Sequence, residues 1–424
     1  MLTSFYSGLS GLSANASALN VVGNNLANIN TPGFKASAIN FYDLVTRTFG
    51  GIAANGAGNP MQIGLGSFPA DVSGIFSQGS IQVTQEGTNV AIEGNGFFIV
   101  GRDNTQRFYT RNGAFSFDDS GYLVDSNGYQ VLGYTDRDPT TGTIIASGAL
   151  NPIFLPANTV SSPSVTTTFQ TFMNLDNRDP AGTTATSSVI VYDSKGAQHT
   201  LTTTYTHNAG LPDSWAYSIT IPGEDVVGGT SGTPYTLATG TLTFNADGSL
   251  NTPAADVTIG PTPAFTNGAN PLTLNWDLWD DNGVASMTGY PLPSGVSSTN
   301  QNGYPPGNLT SIIINREVII QGVFSNGQVE PLAQLALATF NNPKGLLRMG
   351  LNTYSETAAS GVPSLGAPET AGRGSINGGA LESSNVDMAT EFVSMLQFER
   401  GYQANSRTIR TSDEMIQEAL SIKR

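Results

Sequence analysis

The chain has 424 residues, a formal net charge of −15 and no cysteine. This acidity argues against nucleic acids and anionic membrane surfaces as partners, and a chain without cysteine cannot rely on disulfides. Charged residues make up only 12% of the sequence, well below the roughly 25% of an average globular domain. Such a composition is typical of extracellular β-proteins and appendage subunits.

The first predicted element is a helix that ends near Asn30, because Thr31, Pro32 and Gly33 form a turn sequence. Its apolar residues recur at alternating steps of three and four, which marks the seam of a coiled coil. This stripe comprises Leu2, Phe5, Leu9, Leu12, Ala16, Leu19, Gly23 and Leu26. No residue before Lys35 is charged, so we expect a helix that is ordered only when other helices surround it. The alternative is a core helix of one globular domain.

The middle of the chain is predicted to be mostly β-structure. Residues 34–70 are expected to form a connector with a short helix over 41–48 and a Gly-rich centre at 50–59. Short β-runs bounded by turn residues predict a proximal β-domain over 71–145 and 306–383. Residues 146–305 are richer in Thr, Ser, Pro and Gly and predict an inserted outer β-domain.

The last predicted element is a second helix, with Asn385 or Asp387 as its N-cap. Its apolar line at seven-residue spacing, with two flanking residues, comprises Met388, Phe392, Met395, Tyr402, Ile409, Ile416 and Leu420. The end segments 1–33 and 384–424 are therefore predicted to pair. The predicted fold class is α+β, with mainly β domains strung on a coiled-coil-like stem of two terminal helices, whose apolar stripes serve as assembly interfaces.

Candidate catalytic and metal-binding residues are scarce. The two histidines, His199 and His207, lie in a strand-like, Thr-rich stretch of the inserted domain, where we expect surface roles. Without cysteine and without acidic partners at ligand spacing, no zinc constellation forms. The sequence therefore predicts no enzyme, no cofactor and no metal.

The region around residues 24–35 resembles the N-terminal signature of the rod and hook proteins of the bacterial flagellum. Residues 78–98 and 109–134 resemble two β-segments of that family, and residues 401–415 resemble its closing signature. The signature residues are Asn24, Asn25, Asn28, Thr31, Pro32, Gly33, Phe34, Tyr402, Ala404 and Asn405. Four matches in the family order cover both ends of the chain and the β-region between them.

The long middle region resembles the hook members of the family more than the shorter distal rod members. Residues 174–176, 191–196 and 244–248 carry this part of the resemblance. It implies a structural hook subunit that polymerises into a flexible tube, transmits torque from rod to filament and lets later subunits pass through its channel.

The resemblance also implies partners. They are further copies of the chain, the distal rod protein, the hook cap protein, the hook–filament junction protein, the hook-length control protein and the flagellar type III export apparatus. No nucleic acid and no membrane insertion are expected. The expected location is extracellular, in the flagellum, reached without a cleavable Sec signal because the N-terminus lacks the required basic and apolar regions.

Two alternatives stay open. One is a distal rod or other axial subunit with an unusual insertion. The other is an extracellular β-rich adhesin or glycan-active fibre protein, which has no need for paired helical ends.

Overall fold

The structure, a computed structural model, describes residues 2–44, 47–49, 61–102, 106–138, 141–156, 158–211, 213–280, 282–315 and 319–421. The chain divides into two compact units. The first comprises Met1–Ala157, Ser311–Gly322 and Val329–Arg424, and the second comprises Asn158–Thr310 and Val323–Gln328. The second unit is thus an insertion that starts at Asn158, later than residue 146, because residues 151 and 152 still pair with a strand of the first unit.

Two helices and many short strands make up the described chain, which confirms mainly β domains with a helix at each end. Helix α1 spans Leu2–Ala27 and helix α2 spans Met388–Ser421. Asp387 caps α2 as predicted, since its carboxylate accepts a hydrogen bond of 2.8 Å from the Thr390 amide. Within the described residues, neither helix is long and apolar enough to cross a membrane.

The strands of the first part of the chain belong to the first unit. They are β1 (Ser37–Asp43), β2 (Arg47–Phe49), β3 (Met61–Ile63), β4 (Ser67–Gly74), β5 (Ile81–Val83), β6 (Val90–Glu93), β7 (Phe97–Gly101), β8 (Arg107–Thr110), β9 (Phe115–Phe117), β10 (Leu123–Asp125), β11 (Gln130–Tyr134) and β12 (Asn151–Pro152).

The inserted unit contributes the next strands and one 3-10 turn, Gly223–Asp225. They are β13 (Val160–Ser161), β14 (Thr168–Asn174), β15 (Thr184–Tyr192), β16 (Gln198–His207), β17 (Ser214–Pro222), β18 (Pro234–Phe244), β19 (Leu250–Thr252), β20 (Val257–Ile259), β21 (Leu274–Trp276), β22 (Met287–Thr288) and β23 (Gly295–Gln301).

The division between the units falls within the next two strands, and the strands after them return to the first unit. They are β24 (Gly307–Ile314), β25 (Ile319–Phe324), β26 (Val329–Leu335), β27 (Leu337–Thr339), β28 (Leu347–Gly350), β29 (Thr353–Ser355), β30 (Ser364–Gly366), β31 (Ser375–Gly378) and β32 (Ala380–Glu382). A second 3-10 turn spans Pro343–Gly345.

The core of the first unit lies on a sheet of order β26-β11-β7-β8-β29-β28, in which every pairing is antiparallel. β7 is buried along its whole length, as expected of its apolar run bounded by glycines. Phe97 packs edge-on against Phe340 and Tyr354, with ring centroids 5.9 and 5.7 Å apart. The pairs β5–β32 and β6–β31 bring the segment before α2 back to this unit.

The connector expected at 34–70 is instead paired β-structure near both of its ends. β1 and β4 form an antiparallel ladder from Ser37↔Gly74 to Asp43↔Ser67, and β1 and β2 replace the short helix expected over 41–48. Val, Ile, Phe and Tyr suit a pleated ladder, and here tertiary pairing decides the conformation. The Gly-rich centre at 50–59 lies outside the described residues.

The inserted unit contains two sheets around one core. β15-β16-β17-β18-β19 form an antiparallel meander. In the other sheet, β14 pairs in parallel with β21 and β22. Trp215 and Trp276 are completely buried between residues of both sheets. The inserted unit is thus an all-β domain with its own core.

The expectation of surface roles for the two histidines is wrong. β16 buries every second residue, so that His199 and His207 share the inner face with Leu201. His199 bridges two carboxylates, with its Nδ1 2.9 Å from Asp225 and its Nε2 3.1 Å from Asp193. The bridge could not be predicted from the spacing of residues in the sequence, because Asp225 contacts the ring from the distant turn Gly223–Asp225.

Asp193 closes the turn between β15 and β16. Burial raises the pKa of its carboxyl, but hydrogen bonds from Asn267, His199 and the backbone amides of Ala197 and Lys195 outweigh burial and hold the pKa below its usual value. The carboxylate is therefore a structural group that ties this turn to the loop at Asn267.

His199→Ala should lower the free energy of unfolding of the inserted unit by about 2 kcal/mol or more, because two carboxylates lose their shared partner. All three tryptophans belong to this unit, so tryptophan fluorescence during urea denaturation reports its stability. Thr200→Ala, on the exposed face of the same strand, is the control and should change stability little. Equal effects of the two substitutions would contradict a structural role of His199.

Candidate functional site: the helix pair and its buried junction

The two terminal helices run antiparallel and approach each other closely at glycine. Gly8 lies opposite Ile409, Gly11 opposite Asn405, and Gly401 opposite Asn15. A Cβ atom at either Gly11 or Gly401 would lie 2.7 Å from the side-chain amide of the facing asparagine. The two Gly–Asn pairs are reciprocal, since each helix supplies one glycine and one asparagine.

The line of α1 residues that includes these contacts is displaced by one position from the predicted stripe. It comprises Gly8, Gly11, Asn15, Ala18, Val22 and Asn25, of which Gly8, Ala18, Val22 and Asn25 are buried. One residue corresponds to about 100° of rotation around a helix. The close contacts at glycine thus lie on a line of small residues beside the leucine stripe, because small residues permit a close approach.

The residues of the predicted stripes divide between exposed and partly buried positions. Leu9, Met388, Phe392, Met395, Tyr402 and Leu420 are exposed, with fractions from 38% to 65%. Phe5, Leu12, Leu19, Leu26 and Ile416 are partly buried, as is Ile409, which lies opposite Gly8. The side chain of Leu2 lies outside the described residues. Whether these stripes form interfaces between copies stays a prediction.

Asn25, a signature residue with 1% exposure, joins three elements. Its amide nitrogen donates hydrogen bonds to the Ser37 carbonyl (2.8 Å) and to Glu391 of α2 (2.9 Å). Its oxygen accepts a hydrogen bond from the Ser37 amide (2.9 Å). Burial raises the pKa of Glu391 while the bond from Asn25 opposes that rise. One side chain thus links α1, β1 and α2.

The remaining N-terminal signature residues build the turn after α1. The Asn28 side chain donates to the exposed Asn24, and Thr31 donates to Asn28. Gly33 has a φ of 68°, and the Phe34 amide donates to the Thr31 carbonyl over 3.2 Å, in agreement with the predicted turn. Gly33 is required there, since a Cβ would lie 2.5 Å from the Asn112 backbone nitrogen.

This turn is docked on the β-domain by further side chains. The Pro32 carbonyl accepts a hydrogen bond of 2.8 Å from Asn352. The Arg348 guanidinium lies over the Phe34 ring, 5.6 Å from its centroid, and donates to the Lys35 carbonyl over 2.7 Å. Phe34 is buried together with Ala36 and Val386. The segment that follows α1 and the segment that precedes α2, called here the two arms of the chain, therefore meet the β-domain at one place.

A buried cluster of three charges lies at this meeting point. Glu382, at the end of β32, contacts Lys35 at 2.6 Å and Arg111 at 3.4 Å. Exposures are 0%, 1% and 3% for Lys35, Glu382 and Arg111. The carboxylate also accepts a hydrogen bond of 2.8 Å from the Gly79 amide. Lys35 leads from α1, Glu382 leads into α2 and Arg111 belongs to the β-domain, so the cluster fastens both arms.

Burial affects both cations of the cluster. It lowers the pKa of the Lys35 ammonium and of the Arg111 guanidinium, and the attraction of Glu382 opposes both changes. Lys35 also donates to the Ser77 carbonyl over 2.7 Å, and Arg111 donates to the Gly94 carbonyl over 2.6 Å. These bonds partly replace the lost water.

The signature residues of α2 have different surroundings. Asn405 lies in the helix contact, whereas Tyr402 is 38% exposed and Ala404 is exposed. The sequence did not indicate a role for Glu382 or Asn15, and Arg111 and Gly401 stood out only as members of the family-like segments 109–134 and 401–415. The heptad spacing of Gly8, Gly11, Asn15 and Ala18 was a usable signal for the helix contact. No local pattern could show that residues 35, 111 and 382 meet.

Among the residues that the structure describes, no group of three or more His, Asp or Glu is placed to hold a metal ion. The titratable groups of this region take part in ion pairs and hydrogen bonds that connect chain segments. The arrangement can hold helices and strands together.

Four family models match the chain, and all describe flagellar rod and hook proteins. The flagella basal body rod protein model matches residues 5–35, and the flagellar hook protein FlgE/F/G D1 domain matches residues 91–168. The flagellar basal body protein FlaE D2 domain matches residues 155–304, most of the inserted unit. The flagellar basal body rod FlgEFG protein C-terminal model matches residues 377–422.

Relatives that match over the whole chain show which member of this class it resembles. The flagellar hook protein FlgE of Treponema pallidum is 33% identical over the full length of both chains. That of Salmonella typhimurium is 35% identical, covering 99% of this chain and all of its own. The chain therefore belongs to the flagellar hook protein family.

One solved structure is also similar. The crystal structure of Helicobacter pylori flagellar hook protein FlgE2 matches with a TM-score of 0.48 at 17% identity, over 71% of this chain and all of that one. The family assignment rests on the sequence matches.

Gly11→Val should separate the helices at Asn405, because the added atoms have no room. Hydrogen exchange of the α2 segment around residue 405, measured by mass spectrometry in the full-length chain, should become faster. Gly23→Val is the matched control, since no atom lies within 4 Å of its added Cβ. Equal exchange in the two variants would contradict the close contact at Gly11.

Glu382→Ala should destabilise the first unit by about 3–5 kcal/mol, because Lys35 and Arg111 would stay buried without a counter-ion. Glu330→Ala removes a more exposed ion pair with Arg137 and should change stability by less than about 1 kcal/mol. Urea-dependent hydrogen exchange of β31 and β32 measures both effects. Similar values for the two variants would show that the cluster does not hold the arms.

Proposed function

We propose that this chain is the structural subunit of the bacterial flagellar hook and that it polymerises into a flexible helical tube. In this role it transmits torque from rod to filament and lets later subunits pass through its channel. The family membership supports the structural role. The tube, its torque transmission and its channel are inferred from the arrangement of the terminal helices.

The observation that supports this proposal is that each terminal helix leaves large apolar side chains exposed. α1 contacts α2 through small residues and leaves Tyr6 and Leu9 exposed at 61% and 46%. α2 exposes Phe392, Val393 and Leu396 at 46%, 55% and 54%. Contiguous exposed apolar surface marks an interaction site in a soluble protein. We infer that neighbouring copies cover these surfaces and that the pair acts as a coiled-coil-like stem.

The composition of α1 supports a place inside the assembly. Its residues, from Leu2 to Ala27, include no acidic or basic side chain. A helix surrounded on all sides by other helices has no need of charged residues, whereas a helix exposed to water usually carries them. We place the paired ends at the inner wall of the tube and the β-domains outside it.

The proposed partners follow from this position. Besides further copies of the chain, they are the distal rod protein, the hook cap protein, the hook–filament junction protein, the hook-length control protein and the type III export apparatus. The proposed location is extracellular, in the flagellum. We infer a structural role without catalysis. The match of an outer-domain model to residues 155–304 favours a hook subunit over a short rod subunit.

Removing residues 1–30 or 386–424 should abolish polymerisation and leave the β-domains folded, because each helix loses its partner surface. Sedimentation measures polymerisation, and circular dichroism with tryptophan fluorescence measures folding of the β-structure. The intact chain under the same conditions is the control. Polymers formed by either truncated chain would contradict assembly through the helical ends.

A further inference from the structure

We infer that Asn25 is a positioning residue that sets the register of α2 on α1 and couples the helix pair to the β1–β4 hairpin. This inference rests on the proposed function, since register matters most where many identical stems pack side by side. A polymer subunit does not in general require an asparagine at position 25. The hydrogen bonds of Asn25 to Ser37 and Glu391 explain why one is present.

The geometry around Asn25 uses both ends of the side-chain amide. The donor side serves two acceptors, the Ser37 carbonyl and Glu391, while the oxygen accepts from the Ser37 amide. Through the two bonds to Ser37, the side-chain amide pairs with the backbone of one β1 residue, as the backbone of an adjacent strand would. At 1% exposure, no water can replace these bonds. Aspartate has the same shape but lacks the donor and would face Glu391 with a like charge.

The β1–β4 hairpin reached in this way also contacts both helices elsewhere. Ser10 of α1 accepts a hydrogen bond of 3.3 Å from the Ser67 amide. Phe41 of β1 packs edge-on against Phe398 of α2, with ring centroids 6.1 Å apart. The hairpin therefore touches α1 and α2, and Asn25 lies where all three elements meet.

Asparagine recurs along the helix contact. The pairs Asn25–Glu391, Asn15–Gly401 and Gly11–Asn405 lie at successive levels of one antiparallel register. A polar residue within a helix contact fixes register, because a slipped alignment leaves its amide buried without a partner. Asn15 and Asn405 fix the separation of the helices at glycine. Asn25 adds the charge-assisted bond and the connection to β1.

The test compares Asn25→Asp with two matched variants. Asn24→Asp makes the same change on the exposed neighbouring residue, so it controls for charge on this turn. The double variant Asn25→Asp with Glu391→Gln removes the repulsion and lets the new glutamine donate to the new aspartate. Rescue by this second change identifies the pair, since general destabilisation of α1 would not be repaired from α2.

Register is read from spin-label distances across the helix pair. The chain has no cysteine, so cysteines at the exposed positions Ser13 and Arg407 accept two labels without competing thiols. Distances are measured in polymers diluted with unlabelled chain and also in the unassembled full-length chain. The second measurement keeps the test decisive where a variant does not polymerise.

The expected result is one narrow distance distribution for the unsubstituted chain and for Asn24→Asp. Asn25→Asp should broaden or shift it and slow polymerisation roughly tenfold, the factor that corresponds to one lost hydrogen bond. The double variant should restore most of the narrow distribution. An unchanged distribution in Asn25→Asp, or a double variant no better than the single one, would overturn the inference. Failure of the unsubstituted chain to polymerise would instead count against the proposed function.

Discussion

The buried carboxylate of Glu382 is the contact on which the architecture of the first unit depends. It is the single anion among two buried cations, and each of the three charges comes from a different part of the chain. Removing water from such groups is costly, so the cluster is stable only when all three are in place. The segment that follows α1 and the segment that precedes α2 are thereby brought to one point of the β-domain. Both helices extend from that point, so the helix contacts at Asn25 and Gly401 both follow from it.

Close helix packing extends this constraint outward from the junction. Reciprocal Gly–Asn pairs permit a closer approach than leucines at the same positions would, while several bulky apolar side chains of both helices stay exposed. A stem built in this way separates two tasks. In the proposed polymer, small residues and asparagines would hold the two helices of one subunit together, whereas the exposed Leu9, Phe392 and Leu396 would be available to neighbouring copies.

Helical ends, the β-rich middle, the turn at Gly33 and the cap at Asp387 could be predicted from the sequence, because propensity, spacing and turn chemistry are local. The close contacts at glycine lie one residue away from the predicted stripe, since apolar periodicity favoured leucine over the neighbouring line of Gly, Ala and Asn. The histidines and the Glu382 cluster could not be predicted. Strand pairing decides that His199 faces Asp225, and the return of β32 decides that residue 382 meets Lys35. Such contacts depend on long-range topology, which no short motif records.

The antiparallel arrangement of α1 and α2 has an electrostatic consequence. Each helix carries a macrodipole equivalent to about half an elementary charge at either end, and in this pair the positive end of one helix lies towards the negative end of the other. The two dipoles largely cancel within each subunit. In the proposed polymer, many such pairs would therefore accumulate little axial field, and the α1 helices would add no side-chain charge. A passing chain of either charge would then be neither held nor repelled by α1, the helix without charged side chains.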